Sequence, residues 1–115
     1  MPKPALSPSY LESIAWKARA KLMPDRDAQG GDCETVSDEI VRRLQRAGHR
    51  EAFTVLGSFK GRPHSFVKVG PYLVDATREQ FAVFEDDPDE EEELRDHPVL
   101  VMLANRMGSR SYSYS

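Results

Sequence analysis

The chain has 115 residues, 39% of them hydrophobic and 30% charged, with a formal net charge of -3. That length predicts one domain with a single modest core. No run approaches the roughly 18 apolar residues of a membrane span, and "MPKPALSPSY" has no apolar stretch of the signal-peptide kind. One cysteine excludes an internal disulfide framework and four-thiolate zinc sites. The expected location is the cytoplasm, with export by a signal-less route left open.

Residues 1–8 hold three prolines and are expected to be extended or disordered. A first helix is predicted over about 9–22, capped by Ser9 or Ser7. Leu11, Ile14, Ala15, Ala18 and Leu22 recur there at helical spacing, and Pro24 stops the run. The loop "MPDRDAQGG" follows.

A second helix is predicted from about 33 to 47. Asp32 is placed to accept a backbone N–H as its N-cap. Val36, Ile40, Leu44 and Ala47 form one face, and Cys33 extends that line toward the helix start. Gly48 suits the position after the helix, and Arg42, Arg43 and Arg46 suit its negative end.

Strand signals then take over. "EAFTVLGSF" (51–59), "HSFVKV" (64–69) and "YLVDA" (72–76) are β-rich, with Gly70-Pro71 as a tight turn. "REQFAVF" (78–84) is ambiguous, and "PVLVMLA" (98–104) reads as a buried strand. Between them, residues 85–93 carry eight acids and one proline. Such a block reads as a solvated, mobile loop, with docking of a basic protein partner or of calcium as alternatives. It lacks the ligand alternation and glycine of an EF-hand. Without it the remainder is net positive, but the cations are scattered, so no nucleic-acid surface is expected. Residues 108–115, "GSRSYSYS", are expected to be a disordered tail. The order predicts an α+β domain over 9–107, helices packed on an antiparallel sheet.

The chemistry-bearing pattern starts at Cys33. A thiol in the first turn of a helix faces the positive end of the helix dipole and free backbone N–H groups, which lower its pKa. A free cysteine can equally be a small packed hydrophobe. A thiolate nucleophile needs a base, and the base needs an orienter. If Gly70-Pro71 is a two-residue turn, Val69 pairs with Tyr72 and Phe66 lies opposite Asp75. His64, Phe66, Leu73 and Asp75 then share one sheet face, with Val67, Val69, Tyr72 and Val74 on the other. His64 and Asp75 become diagonal neighbours, an imidazole beside a carboxylate. A one-residue slip would separate them. His49 and His97 are weaker candidates for the base, read as solvated residues at a helix end and a strand start. No paired spacing supports a zinc site, and no cofactor is expected.

The segments "GDCETVSDEIVRRLQRAG" and "HSFVKVGPYLVDATREQF" resemble the core of the transglutaminase-like branch of papain-like cysteine enzymes, over about residues 29–81. "VDATREQF" is also similar to small bacterial members. The resemblance implies a papain-like fold, Cys33 as nucleophile, His64 as general base and acid, and Asp75 as orienter. The chain departs from the family in showing no obvious oxyanion donor: the Cys33 backbone N–H is one, Gln29 is the candidate for the second, and Gln80 is a candidate oxyanion or substrate-binding residue and the alternative orienter. Arylamine N-acetyltransferases and bacterial cell-wall endopeptidases share parts of the pattern. The latter usually place a histidine where this chain has Asp75. The expected activity is acyl transfer from an amide of a peptide or protein. Cysteine peptidase comes first, then glutamine deamidase or transglutaminase. A non-catalytic protein-binding module on the same fold is the non-enzyme alternative.

Overall fold

Ser7 opens the first helix. Its hydroxyl accepts from the Tyr10 N–H at 3.2 Å, and Pro8 fills the first turn, where a missing N–H costs nothing. The computed structural model describes residues 3–114, apart from the side chains of Met107 and Ser109. Helix α1 (Pro8–Leu22) buries Leu11, Ile14, Ala15 and Ala18. The segment before it, expected to be extended or disordered, carries no helix or strand over residues 3–7, and its Leu6 packs against the core; residues 1 and 2 lie outside the described residues.

Helix α2 spans Asp32–Arg46. Its N-cap is Gly31 at φ +93°, a left-handed conformation that a side chain would strain. Asp32 is therefore not the cap predicted for it. It is the first helical residue, and its carboxylate turns back to accept from the Gln29 N–H at 2.7 Å and from Arg26. The acid thus braces the loop before the helix rather than the helix itself. Val36, Ile40 and Leu44 point into the core.

The sheet contains β1 (Phe53–Phe59), β2 (Arg62–Val69), β3 (Tyr72–Asp75), β4 (Leu100–Leu103) and β5 (Tyr112–Ser113) in the order β4-β3-β2-β1-β5, every neighbouring pair antiparallel. Val67↔Val74, Lys68↔Leu73 and Val69↔Tyr72 are cross-strand partners, the register expected from the Gly70-Pro71 turn. The alternation sorts the core into two layers. Val67, Val69 and Val74 pack under α1 and α2. Phe66 and Leu73 face the other way, against Phe81, Leu94 and Tyr112.

That second layer is closed by segments the sequence reads differently. Residues Arg78–Phe84 form 3-10 turns. The acidic stretch 85–93 is not a free loop, because Pro88–Asp96 is helix α3, with Asp87 as its cap and Leu94 buried. Asp89, Glu90 and Glu91 occupy its first turn, where the dipole favours anions. Cations face three of the acids: Lys60 pairs with Glu85 and Glu90, and Arg78 with Glu93 at 2.6 Å. The described part of the tail, expected to be disordered, takes up regular structure. A 3-10 segment, Ala104–Arg110, leads into β5, which pairs Tyr112 with Phe59 and Ser113 with Ser58; residue 115 lies outside the described residues. Among the described residues no helix is long and apolar enough to cross a membrane.

Candidate functional site

β3 is short and pairs with β2 only over Val67–Val69. The first half of β2 therefore keeps one side free of any strand. The first turn of α2 and the 3-10 segment after β3 converge on that gap. Cys33 sits in this first turn and is half-buried. Its sulfur meets three groups: the His64 side chain, the backbone N–H of Ser65 and the Gln80 side-chain amide. Burial pushes the thiol up, but those three contacts and the His64 charge outweigh it and hold the pKa at about 7.

His64 is buried on β2, with Phe81 edge-on to its ring at 4.7 Å. Its Nε2–H donates to Asp75 Oδ2 at 2.8 Å. Burial opposes the imidazolium, but the Asp75 charge and hydrogen bond, with Cys33 added, raise its pKa to about 9. Asp75 is itself buried, which disfavours its charge. The His64 contact, the Tyr112 hydroxyl and the Thr77 N–H at 3.1 Å more than compensate, so its pKa is lowered. With Nε2–H committed to a carboxylate, Nδ1 is the nitrogen left to exchange a proton with Cys33.

Gln80 lies against both partners. Its Nε2 is 3.0 Å from His64 Nδ1, and the same amide reaches the Cys33 sulfur. Its Oε1 is buried without a hydrogen-bond partner. Turning the amide would present that oxygen to Nδ1–H once the imidazole is protonated. Gln29 is placed differently. It is exposed at the cleft and its backbone N–H serves Asp32, whereas the side-chain amide that contacts the sulfur is that of Gln80.

A cleft of about 560 Å³ opens over Cys33. Gln29, Gly30 and Gly31 form one wall, and Gln80, Phe81, Val83 and Phe84 the other, with Arg62, Pro63 and Arg95 also lining it. A buried ion pair ties the walls together. Arg19 of α1 forks onto both oxygens of Glu79, and Glu79 Oε2 also accepts the Ala28 N–H at 3.2 Å. Arg19 further donates to the Ala76 carbonyl at 2.6 Å.

The structure thus brings Cys33, His64, Asp75 and Gln80 together and leaves Gln29 at the rim. His49, expected to be solvated, is buried against Tyr10 with neither ring nitrogen hydrogen-bonded. His97 caps the end of α3 and is exposed. Neither lines the cleft. Among the described residues no group of three or more His, Cys, Asp or Glu side chains could hold a metal ion. Sequence reasoning missed Tyr112 and the Arg19–Glu79 pair. The only signal for Tyr112 was the alternation in "SYSYS", a period of two that fits a strand.

No family model, no curated protein and no solved structure matches this chain.

Proposed function

We propose that this protein is a thiol-dependent acyl-transfer enzyme acting on an amide of a peptide or protein, a cysteine peptidase in the first instance, on a papain-like or transglutaminase-like core. One observation carries the reading. A thiol drawn down to about 7 touches an imidazole raised to about 9, whose far nitrogen is held by a buried carboxylate. Between those two values the thiolate and the imidazolium coexist, a nucleophile beside its proton donor.

In the reaction, the Cys33 thiolate adds to the carbonyl carbon. The carbon–nitrogen bond breaks, and the proton on His64 Nδ1 passes to the departing nitrogen. The thioester is then opened by water. Its proton goes to the now neutral Nδ1, the acid leaves, and the thiolate is restored. Asp75 keeps the tautomer that makes this exchange workable and stabilises the imidazolium. The Cys33 backbone N–H lies at a helix start, where a donor faces the developing oxyanion. The Gln80 amide at the sulfur is a second donor of the same kind.

An amine in place of water would give transamidation, and a glutamine side chain in place of a peptide bond would give deamidation. A mass-resolved screen separates these outcomes. Wild-type protein and Cys33→Ala are each incubated with a digest of mixed proteins, with and without a primary amine. Cleaved peptides that appear only with wild type are expected. Deamidation or amine incorporation without cleavage would move the assignment to a glutamine-directed enzyme. Identical spectra for the two proteins, with Cys33 as unreactive as free cysteine, would overturn the enzymatic reading in favour of a binding module.

A further inference from the structure

Arg62 stands two residues before His64 on β2 and on the same face, so the two side chains emerge about 7 Å apart. It lines the cleft that holds Cys33. Its guanidinium lies over the Phe84 ring at 3.7 Å, a stacking that fixes its orientation. Yet among the described residues Arg62 has no carboxylate partner. The other cation lining the cleft, Arg95, is paired with Glu91 at 3.9 Å. Of the two acids on the cleft, Glu79 is neutralised by Arg19, and Asp27 is exposed on the loop before α2. Beside Arg62, Val83 is 70% exposed, and Phe84, with Arg62 over one face of its ring, is still 53% exposed.

We propose that Arg62 receives a carboxylate of the ligand that occupies this cleft. The ligand is a peptide with an acidic group in the stretch that lies beside Cys33, and with an apolar residue lying on Val83 and Phe84. The position of that group relative to the carbonyl presented to Cys33 is what the Glu scan below reads. The planar fork of Arg62 suits a carboxylate better than a neutral amide. That carboxylate can belong to a side chain or to a free peptide terminus. The naming of the substrate rests on the acyl-transfer reading, but the binding claim does not need turnover.

The test uses full-length Cys33→Ala, which cannot turn over. Fluorescent pentapeptides of Gly, Ala and Phe are made in three sets: one Glu scanned through the positions with an amidated terminus, Gln in place of Glu, and the Gln set with a free carboxyl terminus. Anisotropy should show one acidic set binding about tenfold or more tightly than the neutral set. The set that wins identifies the source of the carboxylate. Adding Arg62→Ala should remove the difference without moving the melting temperature, because Arg62 is exposed, and Arg62→Glu should invert it. Equal binding of all sets, or a preference that survives Arg62→Ala, would overturn the inference. Either result would leave the reactivity of Cys33, measured separately by alkylation, to decide the enzymatic reading.

Discussion

Tyr112 donates its hydroxyl to Asp75 Oδ2, the same oxygen that receives His64 Nε2–H at 2.8 Å. A two-residue strand in the tail therefore supplies one of the three donors that keep Asp75 ionised. Tyr112→Phe preserves the ring stacked on Phe59 and removes only this bond. Loss of a buried hydrogen bond to a charged group should cost about 1.5–3 kcal/mol, read by urea unfolding. The Asp75 pKa should rise and Cys33 reactivity should fall. An unchanged denaturation midpoint would show that water replaces the hydroxyl.

The thiolate–imidazolium pair sets a pH window. Cys33 ionises at about 7 and His64 loses its proton at about 9. Alkylation by iodoacetamide should therefore rise through about pH 7, below the ordinary thiol value of about 8.5. The kcat/KM profile should be bell-shaped, with its acid limb near 7 and its alkaline limb near 9. A single limb centred at the free-thiol value would mean that His64 does not activate Cys33.

Asp75→Asn keeps the size of the side chain and removes its charge. The amide can donate to His64 Nε2 and so favours the wrong tautomer. Turnover should drop by up to about 10⁴-fold. The His64 pKa should fall toward the ordinary range, visible as an earlier titration of its ring protons by NMR. An unperturbed titration would transfer the orienting role to Gln80, which sits on the other nitrogen.

Removing the thiol should change how stability depends on pH. The raised His64 pKa adds stability that is complete below the ordinary histidine value of 6.5 and is lost as pH climbs through about 9. The lowered Cys33 pKa adds stability that is complete above 9.0 and is lost as pH falls through about 7. In the wild type these opposite slopes offset each other between 7 and 9. In Cys33→Ala only the histidine slope remains, since Asp75 is still present. Denaturation series across that range should then show stability falling with pH. A flat series would mean that Asp75 alone does not raise His64.

The acidic stretch carries structural weight through one residue. Leu94 is buried, so Leu94→Ala should cost about 2–5 kcal/mol. Glu90→Gln, which touches only a half-exposed pair with Lys60, should stay within about 1 kcal/mol. Replacing 85–93 with a Gly/Ser linker should lower the melting temperature by several degrees, because the first turn of α3 and its cap go with it. An unchanged melting temperature would restore the free-loop reading.

What could be read from the sequence was what short-range chemistry dictates. Gly70-Pro71 set the β2–β3 register, and alternation then placed His64 and Asp75 on one face. The two glycines before Cys33 marked a loop turning into a helix. The missed features depend on contacts distant in sequence. Eight acids look like a solvated loop until Lys60, Arg78 and Arg110 stand opposite them. His49 follows Gly48 at a helix end and looks exposed, but the Tyr10 ring of α1 packs on it. Tyr112 lies in a serine-rich tail whose strand is only two residues long, so the alternation in "SYSYS" is a weak signal on its own.

Glu79 decides how the cleft behaves mechanically. Its two oxygens hold Arg19 from behind, the Ala28 N–H on the wall that carries Cys33, and, through its own backbone, the wall that carries Gln80. Parting the walls would take the Ala28 N–H away from a buried carboxylate, the loss of a hydrogen bond to a charged group, at about 1.5–3 kcal/mol. One side chain thus couples the two walls, and a change at Glu79 reaches both at once.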